Sequence, residues 1–99
     1  MQSPQTTLML LQTTVRSLEN SLKPDQQLIF RFGDQDMLVG MIELFNETYI
    51  QFMGSIDGLP ALQIQSLDHL DFSLRIETVL EDPAERKVIG FVYHQHPED

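Results

Sequence analysis

Residues 28–52 read LIFRFGDQDMLVGMIELFNETYIQF, and their pattern decides the fold class. Leu28, Phe30 and Phe32 alternate with Ile29 and Arg31, the period-two signature of a half-buried strand. Gly33-Asp34-Gln35-Asp36 is a polar turn, residues 37–45 form a second strand, and Asn46-Glu47 is a second turn. Residues 48–53 then make a third strand, completing a hairpin meander. Gly40 interrupts the second strand, which predicts a bend, a bulge or a close backbone approach there.

Upstream, residues 3–22 have helical spacing. Ser3 is a candidate N-cap with Pro4 at the first helical position, where its missing N–H costs nothing. Lys23-Pro24 ends the helix, because a residue before proline is driven out of the α region. Leu8, Leu11, Val15, Leu18 and Leu22 form a narrow apolar stripe, which Met9 and Leu10 widen. This is the pattern of a helix laid across a sheet, or of one pairing with its own copy.

Downstream, residues 54–58 (GSIDG) read as a flexible loop and residues 59–65 as a fourth strand, with Leu62 and Ile64 on one face. Pro60 belongs at its start or on an edge. Residues 72–80 alternate cleanly and residues 87–95 return, so the two are expected to pair as a long hairpin across the turn at 81–85. Residues 96–99 form an acidic tail. The chain is thus one domain, 1–99, of α+β class. An N-terminal helix packs on a strongly bent antiparallel sheet of five or six strands, either open or closed into a small barrel of the Sm-like or SH3-like kind.

Composition excludes several classes. With no cysteine there is no disulfide framework, thiol nucleophile or Cys-ligated zinc. The first residues lack the basic and apolar regions of a signal peptide, and no segment has the length of apolar sequence that a membrane span requires. A cytoplasmic protein with no membrane association is expected. Fifteen acidic residues against six basic ones give a net charge of −9. Such a surface repels phosphate backbones unless its few cations cluster. It serves solubility, or presents an acidic face to a basic partner.

The segment Leu38-x-Gly40-x-Ile42-Glu43-x-Phe45-Asn46 resembles the first motif of the Sm-like small barrels, over about residues 28–53. It is especially similar to the bacterial Hfq branch, which also places a helix before the barrel. That resemblance implies a ring-forming, RNA-binding fold. The RNA-binding positions do not follow: Thr48 stands where the family stacks a base on an aromatic, with Tyr49 one position late. The fourth strand, Leu62-Gln63-Ile64-Gln65-Ser66-Leu67-Asp68, has none of the expected Lys or Arg. The helix-plus-sheet arrangement also bears a looser likeness to the YkuJ-like proteins of Gram-positive bacteria, which implies no activity.

Candidate chemistry is sparse. His94 and His96 share a strand face and, with Glu98 or Asp99, have metal-ligand character, although a solvated tail explains them more simply. His69 beside Asp68 fits a turn histidine bonded to a carboxylate. Asp34, Asp36 and Asp57 fit turn chemistry and lack the spacing of a calcium loop. There is no phosphate loop, nucleophile elbow or zinc-protease motif. Neither catalytic residues, a cofactor nor a metal site are expected, and a metal-dependent enzyme is the remotest reading.

On the second strand Met37, Val39, Met41 and Phe45 are expected to share a face with Glu43, and Leu38, Ile42 and Leu44 the other. With both faces apolar, both are expected to be covered, one by the helix and the other by a barrel interior or a second subunit; Met37, Met41, Met53 and Phe45 form a soft apolar patch that belongs either to the intrachain core or to a subunit or partner interface. The reading is a non-catalytic, acidic, homo-oligomeric adaptor that binds another protein. Its interface is expected at Val88, Phe91, Val92 and Tyr93 on a last, edge strand (88–94), together with Met37, Met41 and Phe45. The runner-up is related to nucleic acid. It is either an Sm-like RNA binder using Arg16, Lys23, Arg31, Arg86 and Lys87, or a DNA mimic that uses the acidic turns against a basic protein.

Overall fold

In the computed structural model, residues 4–78 and 88–93 are described. Helix α1 (Pro4–Asn20) is followed by β1 (Gln26–Phe32), β2 (Gln35–Leu44), β3 (Tyr49–Ile56) and β4 (Leu59–Ser66). A single 3-10 turn (Leu67–His69) leads to β5 (Ser73–Thr78), and β6 (Gly90–Tyr93) comes last. The six strands form one sheet in the order β4-β3-β2-β1-β5, with β6 added beside β2. The fold is α+β, one helix on a mainly antiparallel sheet, and among the described residues the sheet does not close into a barrel.

The turns follow local chemistry. Gly33 at φ +64 opens the two-residue turn between β1 and β2, so β2 begins at Gln35 and Asp36 is a strand residue. Asp57 (φ 53) and Gly58 (φ 82) both take positive φ, as a type I′ hairpin requires. The expected loop at 54–58 is therefore the end of β3 plus this tight turn. Asn46 Oδ1 accepts from the N–H groups of Thr48 (2.7 Å) and Tyr49 (3.0 Å), closing the β2–β3 connection.

The bulge at Gly40 organises the sheet. Leu38 and Val39 pair with Ser55 and Gly54, but Met41 pairs with Met53, so Gly40 is the inserted residue. An odd insertion flips the alternation of every side chain beyond it. Met37 and Val39 before the bulge, and Ile42 and Leu44 after it, therefore all point into the core. The two apolar faces read on an unbulged strand thus largely merge into a single face, continued across the bulge. Met37 is buried, which removes it from any surface.

The bend also frees an edge. The β1–β2 ladder ends at Phe30↔Met37, and β6 takes up the same side of β2 in parallel from Met41↔Gly90 to Leu44↔Tyr93. The expected hairpin of 72–80 with 87–95 does not form in the described residues: β5 pairs along all of β1, from Gln26↔Thr78 to Arg31↔Ser73. Long-range pairing wins because the bent β2 exposes unpaired backbone just where Ile89 and Phe91 can also reach apolar neighbours.

The core joins Leu8 and Val15 of α1 to Leu28, Phe30, Ile42, Leu44, Ile50 and Phe52 of the sheet. Leu11, Leu18 and Leu22 pack at its margin, so the helical stripe covers the sheet, while Met9 and Leu10 are exposed and do not widen it. Phe30, Phe32, Phe52 and Phe72 form an aromatic cluster with ring centroids 5.0–6.3 Å apart. Such pairs add about 0.5–1.5 kcal/mol each beyond the area they bury. Ser3 lies outside the described residues.

Candidate interaction surface

Register places a second apolar layer on the face turned away from the core. Met41, Met53 and Leu62 are direct neighbours across β2, β3 and β4, as are Glu43, Gln51 and Ile64 in the next row. Phe45 and Tyr49 continue the same face at the β2–β3 turn, where the Phe45 N–H donates to Tyr49 O at 3.0 Å. Leu62 is 54% exposed, Ile64 48%, Phe45 53% and Tyr49 43%, so these side chains meet solvent in this chain. Glu43 is the one charged residue in the two rows, and its Oε1 accepts from Gln51 Nε2 at 3.3 Å. Contiguous exposed apolar surface of this kind is uncommon on a monomer and marks contact surfaces.

Of the expected interface residues, Met41 and Phe45 lie on this face. Val88 is exposed beside β6, while Phe91 is half-buried against the core with the Arg16 guanidinium 5.2 Å from its ring centre. Val92 and Tyr93 pair with Glu43 and Leu44, so one edge of the four-residue β6 is already occupied within the chain. The expected grouping of Met53 with Met41 and Phe45 lies on this face, while sequence reasoning missed Tyr49 as the neighbour of Phe45. The Asn46 turn was the available signal, since it closes the β2–β3 connection and brings Tyr49 beside Phe45.

Among the described residues, the candidate nucleic-acid residues Arg16, Lys23 and Arg31 do not gather into a free cationic patch. Arg16 Nη1 bonds Glu19 Oε1 at 2.7 Å, and Arg31 Nη1 bonds Asp36 Oδ1 at 3.3 Å. Arg75 takes Asp36 Oδ2 at 2.6 Å and also pairs with Glu77. The hydrogen bond from Arg75 holds the Asp36 carboxyl below its ordinary range, and Asp36 in turn raises the Arg75 guanidinium. Lys23 lies beyond α1, its N–H donating to Gln26 Oε1 at 2.9 Å. Arg86, Lys87, His94, His96, Glu98 and Asp99 lie outside the described residues.

A cleft of about 290 Å³ opens where β1 and β6 part along β2, between Leu22, Leu28, Leu38, Val39 and Ile89. Glu19 stands at its wall, but both carboxylate oxygens are committed: Oε1 to Arg16, and Oε2 to the Ile89 N–H at 2.9 Å. Glu19 thus fastens the segment before β6 to the helix. Among the described residues no three His, Asp or Glu side chains gather to hold a metal ion; His69 is exposed on the 3-10 turn. No described helix is long and apolar enough to cross a membrane.

Comparison with protein families, with curated proteins and with solved structures returns no match to this chain.

Proposed function

We propose that this chain is a non-catalytic, acidic, cytoplasmic adaptor that works by binding protein and assembles with copies of itself. The Met41–Met53–Leu62 row, exposed at Met41 and Leu62 and continued by Ile64, Phe45 and Tyr49, carries the reading. It supplies flexible methionines and an aromatic rim, chemistry suited to protein contacts. The Sm-like RNA reading draws less support, because Arg16 and Arg31 are spent on carboxylates of their own chain.

The test is affinity capture from native extract with wild-type protein and with a Met41→Lys, Tyr49→Ala double variant. Both side chains are exposed, so the variant should keep the wild-type melting curve. The expected result is a partner retained in fixed proportion by wild type and lost from the variant. Equal retention by both proteins would refute this face as the binding surface.

A further inference from the structure

The strand at the end of the sheet, β4, has features that point to one occupant. The Leu67 N–H donates to Thr48 O at 2.8 Å, which sets the hydrogen-bonding phase of the β3–β4 ladder. Alternation from that bond turns the N–H and C=O groups of Leu62, Ile64 and Ser66 away from β3, toward open solvent. Pro60 shares that phase, so its missing donor falls on the open side. Among the described residues nothing else guards the edge: Leu59–Ser66 contains no charged residue and no bulge. The other end of the sheet differs, since β5 carries Arg75 and Glu77 in an ion-pair network with Asp36.

Charge limits where two copies can meet. Two copies at a net charge of −9 repel over most of their surfaces, and β4 is a strand they can share without opposing like charges. Its side chains are also self-complementary, with Leu62 and Ile64 on the outer face and Gln63 and Gln65 on the other.

We propose that two copies of this chain pair β4 to β4, antiparallel, about a two-fold axis at Gln63. Leu62 of one copy then opposes Ile64 of the other, and each such pair exchanges both N–H···O bonds. Gln63 faces its own equivalent in a non-hydrogen-bonded pair. Gln65, whose amide is bonded to the backbone of Asp71, opposes the small Ala61 and keeps those bonds. The outer apolar rows of the two copies become one surface. The pairing rests on the protein-binding reading and names one partner within it, a second copy.

The chain has no cysteine, so Gln63→Cys is a single-thiol probe on the axis. Light scattering on wild type should give twice 11.4 kDa. Mild oxidation of the Gln63→Cys protein should give a disulfide-linked dimer at least an order of magnitude faster than Asp34→Cys, on the distant β1–β2 turn. Ile64→Lys, on an exposed side chain, should halve the mass while keeping the circular dichroism spectrum of the folded chain. A wild-type mass of 11.4 kDa at every concentration overturns the pairing. So does a larger closed ring, or a dimer in which Gln63→Cys links no faster than Asp34→Cys. Capture of a different protein that depends on Met41 and Tyr49 would leave the adaptor reading standing in each of those cases. A β4-paired dimer without such capture would sustain the pairing and remove the adaptor.

Discussion

Replacing Gly54 by alanine should be far more damaging than replacing Gly40, although Gly40 is the glycine that interrupts the apolar pattern. A Cβ on Gly54 would overlap the carbonyl oxygen of Leu38 and stand 2.8 Å from its carbon and 2.9 Å from Val39 Cα. All three are backbone atoms, so no rotamer change relieves the overlap. Relief requires β2 and β3 to separate where Val39 pairs with Gly54, beside the bulge that sets which residues enter the core. Overpacking of a core side chain costs about 1–3 kcal/mol. A backbone clash that also breaks ladder bonds belongs at or above the top of that range, about 3 kcal/mol. At about 4–8 °C per kcal/mol for a domain of this size, the melting temperature should fall by about 12–24 °C. A Cβ on Gly40 meets only Met53 O at 3.9 Å, ordinary contact, and Gly40 has no positive φ. Gly40→Ala should stay within about 1 kcal/mol of wild type, and can gain stability from a less flexible unfolded chain. Urea and thermal unfolding followed by circular dichroism measure both. Equal stability of Gly54→Ala and wild type, or a larger loss for Gly40→Ala, would refute the account of the bulge.

Glu19→Ala leaves the buried Ile89 N–H without its acceptor and Arg16 without its partner, for a loss of about 1–3 kcal/mol. Hydrogen exchange should speed up at Ile89 and along β6 but not in the β1–β5 ladder; uniform acceleration would contradict a local clasp. Asp36 should titrate below the ordinary aspartate range because the arginines stabilise its charged form, Arg75 foremost. The folded state is then favoured above the unfolded-state pKa, and this contribution is lost as pH falls through the lower, folded value. Carboxyl NMR should show the Asp36 midpoint rising in Arg75→Ala, and an unmoved midpoint would show that the guanidinium has no hold on it.

The local elements were legible in the chain because local chemistry produces them. The stripe from Leu8 to Leu22 and the stop at Lys23-Pro24 specify a helix, and the structure ends α1 at Asn20, within one turn of that stop. Period two at Leu28, Phe30 and Phe32 specifies β1, and the glycine break marks Gly40 as the place of a bend, bulge or close approach, which the structure resolves as a bulge. Leu62 and Ile64 share the exposed face of β4 as their spacing requires.

Everything that depends on pairing between distant residues was decided by the tertiary structure. Whether Met37 faces solvent or core turns on a single inserted residue between it and Ile42, and parity cannot be read until the partner register is known. Residues 90–93 join β2 in parallel rather than folding back on β5, because the bend in β2 opens an edge that only the assembled sheet possesses. The indispensable glycine is Gly54, which nothing in its own neighbourhood of sequence marks, since the atoms it must avoid belong to Leu38 and Val39. By itself the sequence determined helix, strands, turns and charge, all set by residues a few positions apart. The outer apolar face and the uncharged open edge arise from the order of the strands, which loop closure and core packing settle across the whole chain.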